Sequence, residues 1–167
     1  MFCHLHVHTV YSLLVGMCRI PQLVARAKEM GMSSLALTDH GVMYGAIQFY
    51  QEAKKAGIKP IIGCEVYVAQ TDRFSRNAGK DTDHLILLSK NATGYHNLIQ
   101  LVSKAHLESF YYKPRLDKEL LKQYFEGLIA CSACLGGEIP RLILSNRTEE
   151  AKQVALGYRE MFGEDFY

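Results

Sequence analysis

The chain of 167 residues lacks several features that mark special classes of protein. It has no tryptophan and 4 prolines, and 19 Lys plus Arg against 17 Asp plus Glu leave a net charge of only +2. This balance excludes a global electrostatic footprint for nucleic acid, but not a local basic patch. No run of about 18 apolar residues is present, so we expect no membrane-spanning helix. The 49% hydrophobic content fits a globular domain with a core.

The sequence also lacks the signatures of export and of common cofactors. No basic segment followed by an apolar stretch opens the chain, so no secretory signal is visible. The five cysteines are Cys3, Cys18, Cys64, Cys131 and Cys134. Without an export signal we expect reduced thiols and a cytoplasmic protein. Neither a glycine-rich phosphate loop nor a Ser-His-Asp arrangement is found.

Strand-like and helix-like segments alternate along the chain. Strands are predicted over residues 2–7, 34–38, 60–69, 84–89 and 128–132. Helices are predicted over 20–30, 45–56 (closed by Gly57), 95–107, 118–125 (capped by Asp117), from near Glu138, and over 148–162 (capped by Thr148). The polar stretch 70–83 indicates a mobile surface loop near a site. This alternation predicts an α/β fold with a parallel sheet that is covered on both faces or closed into a barrel.

Three histidines stand at alternate positions at the end of the first predicted strand. Because strand side chains alternate, His4, His6 and His8 share one face. Imidazoles two residues apart can converge on a metal ion. The alternative is a polar strand face or a chance cluster.

Polar residues follow or interrupt the next two predicted strands. Asp39 and His40 lie at the carboxyl end of one, where active sites of parallel α/β folds are found. Asp39 is a candidate for orienting an imidazole, or alternatively a helix cap or turn residue. Glu65 sits inside an apolar strand, where a carboxylate is costly unless it is compensated, so it is a candidate ligand that could bridge two ions. The alternative is an ion pair with Lys or Arg. Cys64 beside it points to the core.

Further candidates lie later in the chain. His84 opens an apolar strand and by itself is more often a satisfied polar residue than a ligand. Cys131 and Cys134 form a C-x-x-C motif. Half a zinc ribbon and a redox pair are two alternatives for this motif. Cys134 is the better ligand candidate because it lies at a strand-to-helix turn. A donor set of His, Glu and Cys suits zinc, manganese or iron better than magnesium. Metal-assisted hydrolysis of a phosphoester is the hypothesis that follows.

Together these motifs resemble the polymerase-and-histidinol-phosphatase (PHP) domain. The residues that carry the resemblance are His6-Val7-His8-Thr9, Leu37-Thr38-Asp39-His40-Gly41, Gly57-Ile58-Lys59-Pro60, Gly63-Cys64-Glu65 and Leu135-Gly136-Gly137-Glu138. The branch they are most similar to forms the N-terminus of bacterial replicative DNA polymerases, which are nucleotidyltransferases. The resemblance implies a distorted (β/α)7 TIM-like barrel over residues 1–167.

The resemblance also implies a site and its partners. The implied ligands of up to three zinc or manganese ions are His6, His8, His40, Glu65, His84 and Cys134, with His4 and Asp39 as accessory residues. In active members the site is a metal-dependent 3′–5′ exonuclease. The partners would be DNA, through the parent polymerase, and other replisome subunits. Two other functions stay open: a metal-free scaffold that supports the polymerase, and a stand-alone PHP phosphatase.

The sequence departs from the family pattern in two ways. Val15 and Val10 stand where acidic residues are common, and valine cannot coordinate a metal. The final strands and the closing Asp-x-His motif are not in this chain. We therefore expect fewer than three ions, an impaired site and a domain truncated at its C-terminus, with residues 163–167 as a helix stop and the start of a strand. Self-association through the edge left there is a further expectation.

Overall fold

Helices and strands alternate along the computed structural model, which describes residues 2–76 and 82–167. The helices in these ranges are α1 (Ile20–Glu29), α2 (Ala46–Ala56), α3 (Ala92–Leu107), α4 (Lys118–Tyr124), α5 (Glu138–Leu144) and α6 (Thr148–Phe162). The strands are β1 (Ser34–Leu37), β2 (Lys59–Ala69), β3 (Thr82–Ser89), β4 (Arg115–Leu116) and β5 (Leu128–Cys131). No helix in the described ranges has both the length and the apolar character needed to cross a lipid bilayer.

The strands form a mixed sheet in the order β1-β2-β3-β5, and β4 pairs with the end of β2. β1 and β4 run parallel to β2, whereas β3 runs antiparallel to both β2 and β5. The prediction of a wholly parallel sheet is therefore wrong at β3. No helix lies between β2 and β3 in the described part of their connection, residues 70–76, and only antiparallel neighbours can be joined without a crossover. The sequence has no helical pattern between these two strands, and that feature indicated an antiparallel pair.

The described strands do not close into a barrel. The strand order has two ends, and no pairing within residues 2–76 and 82–167 joins them. At the outer edge of β5, the Tyr167 N–H donates to the Ala130 carbonyl at 2.9 Å, and the Ser132 N–H donates to the Tyr167 carbonyl at 2.8 Å. A helix stop and the start of a strand at residues 163–167 are thus confirmed. The structure shows an α/β fold with a mixed sheet, and closure into a (β/α)7 barrel stays a prediction.

The N-terminal segment predicted as a strand, residues 2–7, is not one in the structure. It runs beside β1, where the Ala36 N–H donates to the His4 carbonyl at 3.0 Å and the Thr38 N–H donates to the Val7 carbonyl at 2.9 Å. The Val7 N–H in turn donates to the Thr38 hydroxyl at 2.7 Å. These few bonds hold the histidine-bearing segment against the sheet without forming a regular ladder.

The two faces of the sheet have different roles. Cys64 and Val66 of β2 are buried in the main core, which α3, α4 and α6 cover. Because strand side chains alternate, Glu65 and Tyr67 point to the opposite face. His84 of β3 is in register with Tyr67 and lies on that same face. The prediction that Cys64 belongs to the core is confirmed, since its side chain is buried.

The described part of the polar loop after β2 is tied to its neighbours. The Arg73 guanidinium pairs with Asp117 at 3.2 Å and with Glu108 at 3.3 Å. β3 already begins at Thr82, two residues before the predicted start of the strand. Residues 77–81 of the predicted loop lie outside the described residues.

Local signals at the helix ends are confirmed in part. Asp117 caps α4, since its carboxylate accepts a hydrogen bond from the Leu120 N–H at 2.9 Å. Gly57 ends α2 with a φ of 75°, a left-handed conformation that favours glycine. The prediction that Thr148 caps α6 is wrong, because Thr148 is its first helical residue and Arg147 precedes it without a side-chain cap.

The packing of α3 yields a test of the fold. A Cβ added to Gly94 in its first turn would lie 1.8 Å from the Gly127 carbonyl oxygen. We expect Gly94→Ala to lower the free energy of unfolding by roughly 2–3 kcal/mol, because the backbones must separate. Gly157 of α6 has no neighbour within 4 Å of an added Cβ. Gly157→Ala is therefore expected to raise that free energy by about 0.5–1 kcal/mol. Urea denaturation of both variants measures this, and equal effects would contradict the packing.

Candidate metal centre

A buried carboxylate surrounded by imidazoles occupies the face of the sheet opposite the main core. The Glu65 side chain is 0% exposed. Its Oε2 lies 2.5 Å from Nε2 of His6 and 3.5 Å from Nε2 of His8. Its Oε1 lies 2.7 Å from Nδ1 of His40 and 2.7 Å from Nδ1 of His84. The structure thus brings five of the six predicted ligands into direct proximity.

These donors fall into two sets that share one carboxylate. His6, His8 and Glu65 have ligand atoms within 4.8 Å of one another, and so do His40, Glu65 and His84. Each carboxylate oxygen faces a different pair of imidazoles. A carboxylate placed in this way can bridge two cations, one in each set.

Three separate parts of the fold deliver the imidazoles. His6 and His8 come from the extended N-terminal segment, and their rings lie edge to face at 4.8 Å. His40 follows β1, where the Gly41 N–H donates to the Glu65 carbonyl at 2.8 Å. His84 lies on β3, across the sheet. The site therefore exists only when the segment, β1, β2 and β3 are all in place.

The ionised form of the Glu65 carboxyl is stabilised by its histidine neighbours. Burial by itself raises the pKa of the Glu65 carboxyl, but the facing imidazoles of His40, His6 and His84 outweigh it and hold that pKa well below its usual range. The alternative of an ion pair with Lys or Arg is wrong, because the ion pairs of Glu65 among the described residues are all with histidines. The carboxylate is thus ionised and available to cations.

Unsatisfied buried atoms in the cluster fit a bound metal. Among the described residues, Nδ1 of His8 is buried without a hydrogen-bond partner, and Nδ1 of His40 and Oε1 of Glu65, although 2.7 Å apart, lack the geometry of a hydrogen bond. Buried polar atoms are rarely left unpaired, and each exception calls for an explanation. Burial, with the neighbouring His40, lowers the pKa of His8 from its ordinary value, which keeps its imidazole neutral. A neutral imidazole has the free lone pair that coordination needs.

Asp39 acts differently from its prediction. Within the described residues no hydrogen bond joins its carboxylate to an imidazole. Its Oδ1 accepts hydrogen bonds from the Thr9 N–H at 2.6 Å and the Ser12 hydroxyl at 2.6 Å, and its Oδ2 accepts from the Thr9 hydroxyl at 2.7 Å. The Ser12 oxygen in turn accepts from the His40 N–H at 3.1 Å. Asp39 therefore fastens the turn that follows His8 to the segment that carries His40.

The two remaining predicted residues lie further from the carboxylate. Cys134 Sγ is 3.8 Å from Nδ1 of His84, and no described cluster joins it to Glu65. The His4 ring packs against Phe2 at 4.7 Å, and none of the contacts seen within residues 2–76 and 82–167 links it to the cluster. The structure thus places Cys134 at the rim of the site and His4 outside it.

Tyr67 is a site residue that the sequence reasoning missed. Its ring lies 5.2 Å from the ring of His84 and 6.2 Å from that of His40. Burial, together with the Glu65 carboxylate, raises its pKa to about 12, so its hydroxyl stays protonated. The signal was its spacing of two residues from Glu65, which puts both side chains on one face.

The two valines at commonly acidic positions lie on the surface near the N-terminal turn. Val15 is 67% exposed and Val10 is 38% exposed. No described cluster of potential ligands includes a residue from the loop that carries Val15.

Comparison with known proteins identifies the family. The family model of the PHP domain matches residues 4–167. The chain belongs to the PHP family. This PHP domain is 57% identical over 169 residues to DNA polymerase III subunit alpha of Borreliella burgdorferi and 53% identical over 169 residues to that of Treponema pallidum. The alignments cover 99% of this chain but only 15% and 14% of those relatives, so the chain spans a small part of their length.

A further curated relative and a solved structure are also similar to this chain. DNA polymerase III subunit alpha of Helicobacter pylori is 49% identical over 176 residues, covering 99% of this chain and 14% of the relative. Among solved structures, an amidohydrolase from Chromobacterium violaceum is similar, at 23% identity and a TM-score of 0.45, over 62% of this chain and 32% of that one. The predicted membership of the PHP family, in its polymerase branch, is confirmed.

The role of Asp39 can be tested by its removal. Asp39 is 1% exposed and accepts three hydrogen bonds, so Asp39→Ala strands the Thr9 N–H and two hydroxyls. We expect a loss of about 3 kcal/mol in the free energy of unfolding, measured by urea denaturation in a chelator. Glu164→Ala is the control, since its exposed pair with Arg159 is worth about 0–1 kcal/mol. A loss no larger than that of the control would contradict the anchoring role.

Proposed function

We propose that this PHP domain binds zinc or manganese at the Glu65 cluster and is a phosphoesterase of the 3′–5′ exonuclease type. The observation that carries the proposal is the buried, ionised carboxylate shared by two imidazole pairs. A mixed nitrogen and oxygen donor set is typical of zinc and manganese sites.

The residues of the site have separate roles in this proposal. His6 and His8 with one oxygen of Glu65 would hold one cation, and His40 and His84 with the other oxygen would hold a second. Cys134, at 3.8 Å from Nδ1 of His84, is the proposed additional ligand on that side. Tyr67, with its raised pKa, would donate a hydrogen bond to an oxygen of the substrate.

Bound divalent cations would supply a hydroxide nucleophile at neutral pH and offset the charge of the phosphate oxygens. The protein's own contribution is to keep the imidazole of His8 neutral and the carboxylate of Glu65 ionised. The lowered pKa values of His8 and Glu65 support both states. Asp39 keeps the N-terminal segment in register with His40 through Thr9 and Ser12.

We further propose that the chain is the N-terminal PHP part of a replicative DNA polymerase III alpha subunit. Its sequence identity of 57% to the subunit of Borreliella burgdorferi supports this, and the chain covers 15% of the length of that subunit. In that protein its partners would be DNA and other replisome subunits, in the cytoplasm. Further strands would complete the (β/α)7 barrel beyond the β5 edge, where Phe166 already pairs with Ala130. Self-association through that edge is an expectation for the 167-residue chain alone.

We also propose that the site is impaired and holds fewer than three ions. Two sets of donors are present among the described residues, and Val15 offers no ligand atom. Slow hydrolysis, rather than the full rate of a complete site, is the expected activity.

A metal-free scaffold is the second candidate function. The turn that follows the N-terminal segment exposes Leu13, Leu14, Val15 and Met17. Contiguous exposed apolar side chains are typical of surfaces that contact another protein segment. In a scaffold, this surface would pack against the rest of the longer protein.

Metal content separates the two functions. We expect chelator-treated chain that is reloaded with zinc and dialysed to retain more than about one ion per chain by elemental analysis. Glu65→Gln should lose most of this zinc, because both sets share the carboxylate. His96→Gln, on the exposed side of α3, is the matched control and should keep it. Wild-type chain without zinc after reloading would favour the scaffold and overturn the metal site.

Hydrolysis of single-stranded DNA with added manganese or zinc tests the activity. We expect His8→Ala to lower the rate by about tenfold or more, since even changes around metal ligands cost that much in affinity or activity. His96→Ala should have no effect. Equal rates in wild type and His8→Ala would assign the activity to a contaminant or to another site.

A further inference from the structure

A loop rich in aromatic residues lies beside the metal centre and has no role in the mechanism above. It consists of Phe110, Tyr111, Tyr112 and Lys113, between α3 and β4, and is called the aromatic–lysine loop here. Phe110 is 53% exposed, Tyr112 is 61% exposed, and Lys113 is exposed. Contiguous exposed apolar side chains are typical of surfaces that bind a ligand or a partner.

Hydrogen bonds and a cation–π contact connect the aromatic–lysine loop to the described residues around it. The Tyr111 N–H donates to the Lys113 carbonyl at 3.1 Å, which makes a tight turn with Tyr112 at its tip. The Arg115 guanidinium lies 5.1 Å from the Tyr111 ring and donates to the Ser75 carbonyl at 2.9 Å. A preformed loop loses less conformational entropy when it binds a ligand.

This loop borders the metal centre at two points. Nζ of Lys113 lies 4.4 Å from the centre of the Tyr67 ring, and that ring packs against His84. On the other side, Phe110 lies 6.0 Å from the ring of His106, whose Nε2 is 2.9 Å from the Gly41 carbonyl next to His40. The loop is therefore connected to His84 through Tyr67 and to the segment that carries His40 through His106 and Gly41.

The charge near the loop is locally positive. Arg73 is neutralised by Asp117 and Glu108. The ion pairs found within residues 2–76 and 82–167 do not include Lys113 or Arg76, whose guanidinium lies 6.0 Å from the Tyr111 ring. With a net charge of only +2 over the whole chain, this placement is a local basic patch.

We infer that the aromatic–lysine loop binds single-stranded nucleic acid and leads one of its phosphodiesters to the Glu65 cluster. This inference rests on the proposed function and adds the residues that hold the substrate. Stacking of bases on exposed aromatic rings, combined with cations on the backbone, is the usual means of binding single strands. Paired bases in a duplex cannot stack on these rings, so the strand must be unpaired.

Fluorescence anisotropy with a labelled oligothymidylate of about 12 nucleotides, in EDTA, tests the inference without metal. We expect Phe110→Ala to weaken binding by about fivefold or more, because one stacked base is lost. Lys113→Ala should weaken it and reduce the slope of log affinity against log salt by about 0.7, the value for one phosphate contact. Tyr50→Ala and Lys152→Ala, an exposed ring on α2 and an exposed lysine on α6, are the matched controls and should bind as wild type does.

An abasic strand of equal charge distinguishes stacking from charge. Phe110→Ala should bind it as wild type does, whereas Lys113→Ala should bind it less well. The inference would be overturned if wild type did not bind oligothymidylate, or if the control variants lost as much affinity as Phe110→Ala and Lys113→Ala. Equally strong binding of an acidic peptide by wild type would also overturn it. The zinc content of Phe110→Ala should equal that of wild type. This measurement distinguishes a wrong inference about the loop from a wrong proposal about the metal site.

Discussion

The ionised carboxylate of Glu65, buried on the face of the sheet opposite the main core, constrains much of the surrounding structure. A buried charge is costly unless it is compensated, and here the compensation comes from four imidazoles on three separate segments. The N-terminal segment, the end of β1 and β3 must therefore all be placed correctly around β2. The same atoms that balance this charge are those that could hold cations, so the stability of this region and its chemistry are linked.

Backbone and side-chain bonds around Asp39 make this arrangement definite. The N-terminal segment has no strand of its own and lies against β1 through two backbone bonds from Ala36 and Thr38. Asp39 then takes all three donors from Thr9 and Ser12, which fixes the turn after His8. A carboxylate that seemed suited to orient an imidazole directly instead positions the chain that carries two of them. Its effect on the site passes through the backbone.

The relation between sequence and fold differs from element to element. Apolar periodicity located the helices and strands to within a few residues, as for α1 and β2, because burial of an apolar face is a local pattern. It missed β4, whose two residues are too few for a period, and it gave the wrong direction to β3. Strand direction depends on the connection and on which neighbour is available, and apolar spacing is the same in both directions.

The sequence alone determined that Glu65 is a charge within an apolar strand, and the two-residue spacing of His6 and His8 predicted that their side chains converge. Those residue types in that order also determined the PHP family. Only the tertiary structure decided that both carboxylate oxygens are shared between two imidazole pairs, that Asp39 fastens the N-terminal turn and that Tyr67 and the aromatic–lysine loop border the cluster. These contacts join residues far apart in the chain, 59 positions in the case of His6 and Glu65, and their distances arise from the packing of the sheet, which local spacing does not encode.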